Sequence, residues 1–240
     1  MTTLTVIRHG ETDWNRLLRF QGQLDVSLNE IGRVQADRVA RALAGERFDA
    51  LICSDLMRAR QTAEPLAQQI GLAVETDTLW REQCFGVLEG LDVPTIKTHY
   101  PELWAKWIRH DADYALPGGE SVRTFHARIV AAVEELAQRY PGRHLVVVTH
   151  GAVLDMLWRM VHRLPLSGPR DCAIPNGGIN RLCWSAGALD IVEWADDRHL
   201  AGLPAQPSTV PASRFSSPGL RLAGSTPPVP APAVFQLAET

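Results

Sequence analysis

The chain has 240 residues, 45% of them hydrophobic and 21% charged, with a formal net charge of −3 at pH 7. This is an ordinary globular composition with enough length for a sizeable core, as one large α/β domain or two small ones. The weak negative charge argues against nucleic acid or an anionic membrane as partner, and no apolar run reaches the roughly 18–20 residues of a membrane span.

The first residues, Met1-Thr2-Thr3-Leu4-Thr5, lack the basic and apolar regions of a secretory signal. Cys53, Cys84, Cys172 and Cys183 show no CxxC spacing, which argues against a disulfide framework or a zinc site. A cytoplasmic protein with reduced thiols is the expectation.

Thr3 to Ile7 reads as a buried strand, rich in β-branched residues. It runs directly into Arg8-His9-Gly10. A loop with Gln21-Gly22 follows, and then Ser27-x-x-Glu30 resembles a capping box. From there Ile31, Val34, Val39 and Leu43 recur at helical spacing, with a stop at Gly45. Phe48 to Cys53 reads as a second strand ending at Ser54-Asp55. Leu56 to Ile70 reads as a helix closed by Gly71. Val74 falls in a short strand, and Leu79 to Gly90 is irregular.

Residues 91–116 predict one or two short helices carrying Tyr100, Trp104 and Trp107. After the turn at Pro117-Gly118-Gly119 comes a long helix from Glu120 to about Tyr140. Leu145 to Thr149 is a continuous apolar run with three valines, as a central parallel strand requires. It ends at His150-Gly151 and leads into a helix to about His162. Gly177 to Trp184 and Leu189 to Trp194 predict a closing hairpin through Ala186-Gly187. Eight of the 16 prolines lie beyond residue 200, so 200–240 is expected to be a disordered tail behind a catalytic domain spanning 1–199. The alternation of strands and helices predicts a three-layer α/β/α fold with a mostly parallel central sheet.

Three strand ends should then deliver chemistry to one crevice: Arg8-His9, Ser54 with Arg58, and His150-Gly151. Helix N-termini favour anions, and arginine suits phosphate oxygens. Two arginines and two histidines among such N-termini would hold a tetrahedral dianion. Glu82 is the candidate acid, because the alkoxide of a phosphate monoester leaves poorly without a proton. A carboxyl group partly desolvated beside a dianion holds its proton to higher pH.

Arg8-His9-Gly10-Glu11-Thr12 resembles the signature of the histidine phosphatase superfamily, the phosphoglycerate mutase-like proteins. Further motifs extend the resemblance across residues 3–195. These are Asn15 with Arg19-Phe20-Gln21-Gly22, then Ser54 to Ala63, Arg81-Glu82, Pro117 to Ser121 and Thr149-His150-Gly151. The departure is at Val87-Leu88, where the family often has an acidic residue and tryptophan.

The resemblance implies a phosphoglycerate mutase-like fold with His9 as the nucleophile that forms a phosphohistidine. It implies that Arg8, Arg58 and His150 bind the phosphoryl group and that Glu82 acts as proton donor and then base. Asn15, Gln21, Gly22 and Gly151 would line the pocket. It implies no metal and no cofactor. The expected partner is a small phosphorylated metabolite, and the assembly is left open, a homodimer among the options. A phosphatase is the preferred activity because residues 91–116 form a short insertion. A phosphoglycerate mutase is the alternative, and a non-catalytic phosphate-binding protein a remote one.

Other residues have plainer readings. His99, His110, His126, His144, His162 and His199 read as surface or structural histidines. Trp104 and Trp107 share a helical face and favour packing over substrate contact. Lys97, Lys106 and Arg109 favour a solvated face. Arg60 reads as structural, and Glu11 either orients pocket groups or serves as an ion-pair partner.

Overall fold

The computed structural model describes residues 1–207. In chain order it contains β1 (Thr2–Arg8), α1 (Asp13–Arg16), α2 (Glu30–Leu43), β2 (Ala50–Cys53), α3 (Met57–Ile70) and β3 (Val74–Thr76). Then follow α4 (Val93–His99), α5 (Pro101–Trp107), α6 (Val122–Arg139), β4 (His144–Thr149), α7 (Gly151–His162), β5 (Ile179–Ser185) and β6 (Ala188–Asp196). The six strands form one sheet in the order β3-β2-β4-β1-β5-β6. The first four are mutually parallel, while β5 and β6 run antiparallel at one edge.

The valine run of β4 explains the layering. Side chains of a strand alternate between faces, so an unbroken apolar strand needs an apolar layer on each side. Leu145 and Val147 join a core with Phe125, Ile129 and Val133 of α6 and Val153 and Leu157 of α7. Val146 and Val148 join the opposite core with Val39 and Leu43 of α2 and Ala63 and Leu66 of α3. A third, smaller cluster buries Leu88, Ile96 and Leu116 beneath Phe20, Trp104 and Trp107. Leu88, at the departure from the family pattern, is thus a core residue, while Val87 is 46% exposed.

Most elements start within two residues of the sequence reading, and two differences have a physical cause in the packing. The cap of α2 is Asn29, whose side chain accepts from the Gly32 N–H, and the box opened by Ser27 does not form. Asn29 is itself held by Glu11, which fixes it immediately before the first residue of the helix. Val34 sits on the outer face of that helix, 42% exposed. Residues 200–207, assigned above to the tail, pack on the domain. Leu200 is buried, and the Gln206 amide exchanges hydrogen bonds of 2.6 and 3.0 Å with the backbone of Asn176. The remainder of the expected tail, 208–240, lies outside the described residues. Among the described residues no helix is long and apolar enough to cross a membrane.

Candidate active site

The carboxyl end of β1 is fixed by unusually close backbone packing. A Cβ on Gly10 would lie 2.5 Å from the Gly32 carbonyl oxygen, and one on Gly32 would lie 2.1 Å from that of Glu11. Only glycine at both positions lets the N-terminal turn of α2 meet the loop after His9. Thr62 of α3 accepts from the Gly10 N–H at 2.9 Å and donates to the Arg58 carbonyl. Asn176 donates to the His9 carbonyl at 3.0 Å. Three separate parts of the chain therefore set the position of His9.

His9 is 2% exposed. Its Nδ1 lies 2.7 Å from the Gly10 carbonyl oxygen, so that nitrogen carries the proton and donates it. Nε2 is left as the free, basic nitrogen. Burial, then the positive charges of Arg58 and Arg8, push the His9 pKa well below its ordinary value. The imidazole is neutral at pH 7, as a nucleophile must be.

The His150 ring lies 5.2 Å from that of His9, centroid to centroid. It is fully buried, with Nε2 2.7 Å from the Ser54 hydroxyl and Nδ1 without a hydrogen-bond partner. Burial and Arg58 lower its pKa well below the usual range too.

Arg58 extends from the first turn of α3 and is fully buried. Its guanidinium donates to the carbonyls of Gly22 and Leu24, at 2.7 and 2.9 Å. Gly22 holds a positive φ of 51°, and a Cβ there would collide with the Glu89 carboxylate. Arg8 donates to the Ile174 carbonyl. Burial lowers both guanidinium groups to about 10, and both stay charged at neutral pH. Each has a buried Nε with no hydrogen-bond partner.

Glu82 reaches the same place from the irregular segment. Its two carboxylate oxygens accept from the Ala152 N–H at 3.1 and 3.2 Å, at the N-terminus of α7. Its loop is clamped from behind by Arg128 of α6. That guanidinium donates to the carbonyls of Leu79, Arg81 and Glu82 and pairs with Glu120. Glu120 in turn accepts from the Cys84 N–H.

A cavity of ≈ 530 Å³ joins these groups, lined by Arg8, His9, Asn15, Gln21, Gly22, Arg58 and Glu82 among the residues singled out from sequence. His150 and Gly151 stand behind this lining. At Gly151 a Cβ would lie in ordinary contact with Arg8, 3.4 Å from its Nε. Thr12 caps α1, and the Asn15 side-chain oxygen completes the capping box by accepting from Thr12.

The remaining candidates divide cleanly. Trp104 and Trp107 belong to the third core cluster and also line the cavity. His110 is at its exposed rim. Lys97, Lys106, Arg109 and Arg60 face solvent. Glu11 is an ion-pair partner, buried and 2.7 Å from Arg16. Sequence reasoning missed Asp155, Arg159, Arg170, Arg128 and Asn176. The i,i+4 pair Asp155–Arg159, directly after His150-Gly151, was the one legible signal among them. Among the described residues no three His, Cys, Asp or Glu side chains converge as metal ligands do.

The model of the histidine phosphatase superfamily (branch 1) matches residues 4–197. A phosphoglycerate mutase-like protein of Arabidopsis thaliana is 39% identical over 82% of this chain and 86% of its own length. The structure of a mycobacterial glucosyl-3-phosphoglycerate phosphatase, solved with VO3, superposes with a TM-score of 0.72 at 34% identity, covering 80% of this chain and 98% of that one. A phosphoserine phosphatase variant from Entamoeba histolytica, solved with phosphoserine, gives a TM-score of 0.75 at 26% identity, covering 83% and 100%.

Proposed function

Because the chain belongs to the histidine phosphatase superfamily, we propose that it hydrolyses small-molecule phosphate monoesters through a phosphohistidine on His9. The observation that carries this reading is the state of His9: neutral, its Nδ1 proton held by the Gly10 carbonyl, and its Nε2 free among arginines.

His9 Nε2 attacks phosphorus as the bond to the leaving oxygen breaks. Glu82 gives that oxygen its proton, so an alcohol departs rather than an alkoxide. Phosphoryl transfer is chiefly a problem of positioning and of charge spread over the equatorial oxygens. Arg8 and Arg58, locked by backbone carbonyls, offer their remaining N–H groups to those oxygens without reorganising. His150 lies beside the transferred group as a neutral donor, its ring oriented by Ser54. Glu82, now a carboxylate, takes a proton from water as the water attacks phosphorus. The N–P bond breaks, and inorganic phosphate and neutral His9 are regenerated. The mirror roles of Glu82 require a carboxylate fixed in place, which Ala152 and the Arg128 clamp provide.

The phosphatases among the structural relatives support this reading. The name of the Arabidopsis relative supports a second one, return of the phosphoryl group to another hydroxyl of a phosphoglycerate. Both use the same centre and differ in the acceptor. The test is a hydrolysis assay with an aryl phosphate and with 3-phosphoglycerate, comparing the wild type with His9→Ala. Release of free phosphate by the wild type alone supports the phosphatase. Isomerised phosphoglycerate without free phosphate supports the mutase, and equal rates for both proteins overturn both readings.

A further inference from the structure

The cavity extends well beyond the groups that would hold a phosphoryl group. Ala152, Asp155, Met156 and Arg159 recur at i, i+3, i+4 and i+7 and form one stripe of α7 along its wall. The stripe starts at Ala152, whose N–H holds Glu82. The stripe therefore begins at the proposed proton donor, where a leaving group would depart.

Arg170 stands beside it. Arg159 donates to the carbonyls of Pro165, Ser167, Gly168 and Pro169, and the Gly168 N–H donates to the His110 carbonyl. The segment that presents Arg170 is thus tied from two sides. A Cβ on Gly151 would lie 3.4 Å from Arg8 Nε and 3.6 Å from Arg170 Nη1, so two guanidinium groups converge on one point of the backbone. The nearest carboxylate to Arg170 is Asp155, at 4.0 Å, beyond hydrogen-bond reach. Arg170 Nε and Asp155 Oδ1 are both buried without a hydrogen-bond partner among the described residues. With Glu82 carrying the proton it donates, Arg8, Arg19, Arg58, Arg159 and Arg170 face two carboxylates, Asp111 and Asp155, around this cavity. A phosphate dianion offsets two of the three surplus charges. One positive charge is left, on the leaving-group side.

We propose that Arg170 reads a second anionic group of the substrate, a carboxylate or a phosphoryl group, attached to the leaving group. Asp155, 4.0 Å from the Arg170 Nε, offers that guanidinium a facing charge but no hydrogen bond. The proposal rests on the phosphomonoesterase reading and narrows its substrate class to monoesters whose alcohol is itself an anion. It also assigns Arg170 as a specificity residue outside the family motifs.

The experiment compares kcat/KM of the wild type and Arg170→Gln on p-nitrophenyl phosphate and on two matched pairs. Glycerol 3-phosphate against 3-phosphoglycerate tests a carboxylate. Fructose 6-phosphate against fructose 1,6-bisphosphate tests a phosphoryl group. The wild type should prefer the anionic member of at least one pair by about 10- to 100-fold, the worth of a charge-assisted hydrogen bond. Arg170→Gln should bring that ratio to near one while changing p-nitrophenyl phosphate by less than about threefold. Arg170→Lys, which keeps the charge and loses the fork, should fall between.

A parallel loss on all five substrates overturns the proposal, because Arg170 would then serve the transferred phosphate itself. A ratio near one in the wild type, or one unchanged in Arg170→Gln, overturns it as well. Absence of any turnover by the wild type sinks the enzyme reading instead. Calorimetric affinities of the same pairs for His9→Ala then still decide the role of Arg170.

Discussion

Two neutral imidazoles buried in a cationic site make the stability of this fold depend on pH in a calculable way. His9 and His150 have pKa values well below 6.5 in the folded protein. In the unfolded chain they return to about 6.5. Below that pH the unfolded state binds more protons, so stability falls as pH falls. Between pH 7.5 and 5.5 each imidazole that stays neutral in the folded state contributes a loss on the order of 1 kcal/mol.

Urea unfolding in phosphate-free buffer reads this directly, since a bound anion would add its own stabilisation. The informative comparison is wild type against His150→Asn, which keeps a group able to bond Ser54 but cannot titrate. Every other titrating group is common to both proteins and cancels. The variant should lose on the order of 1 kcal/mol less than the wild type over that interval, whatever its stability at pH 7.5. Identical losses in both proteins would show that His150 takes up its proton over the same pH range in the folded as in the unfolded state, and the account of the site's electrostatics would fail.

Other consequences follow from the geometry. Glu82→Gln should lower turnover of an alkyl phosphate by about 10²- to 10⁴-fold, measured as released phosphate; full turnover would remove Glu82 from the mechanism. Arg128→Gln should lower kcat more than it changes KM, because it frees the carbonyls of Leu79, Arg81 and Glu82 without touching the phosphate site. A pure KM effect would contradict a positioning role. Gly32→Ala must push apart two backbones already in contact and should destabilise by about 1–3 kcal/mol in thermal or urea unfolding. An unchanged midpoint would refute that packing argument.

The fold was legible where periodicity was strong. The valine run of β4, the Gly71 stop of α3 and the Ala186-Gly187 hairpin turn all follow from local chemistry, and the structure places them as read. The cap of α2 was misread because Ser27 and Asn29 are both good caps. The choice was made by Glu11, distant in sequence and adjacent in space. Arg8, His9, Arg58 and His150 were legible because each sits at a strand end or helix start that the motifs mark, while Glu82 was read from its motif alone. Arg170 was invisible because it lies in an irregular segment whose course is set by Arg159 binding backbone carbonyls, an interaction with no sequence period. Arg128 was missed for a related reason: on an otherwise amphipathic helix it reads as one more solvated cation, yet it bonds three carbonyls and a carboxylate. The closing of the domain at 199 was drawn from composition, which does not register that Gln206 pairs with the backbone of Asn176.

The claim beneath all of this is that His9 carries phosphorus during turnover. Acid-labile, base-stable phosphate should be trapped by rapid quenching during hydrolysis of an aryl phosphate, and mass spectrometry should place one phosphoryl group on the His9 peptide. His9→Ala should trap none. A quenched enzyme that turns over without label, or with label on another residue, would contradict the account.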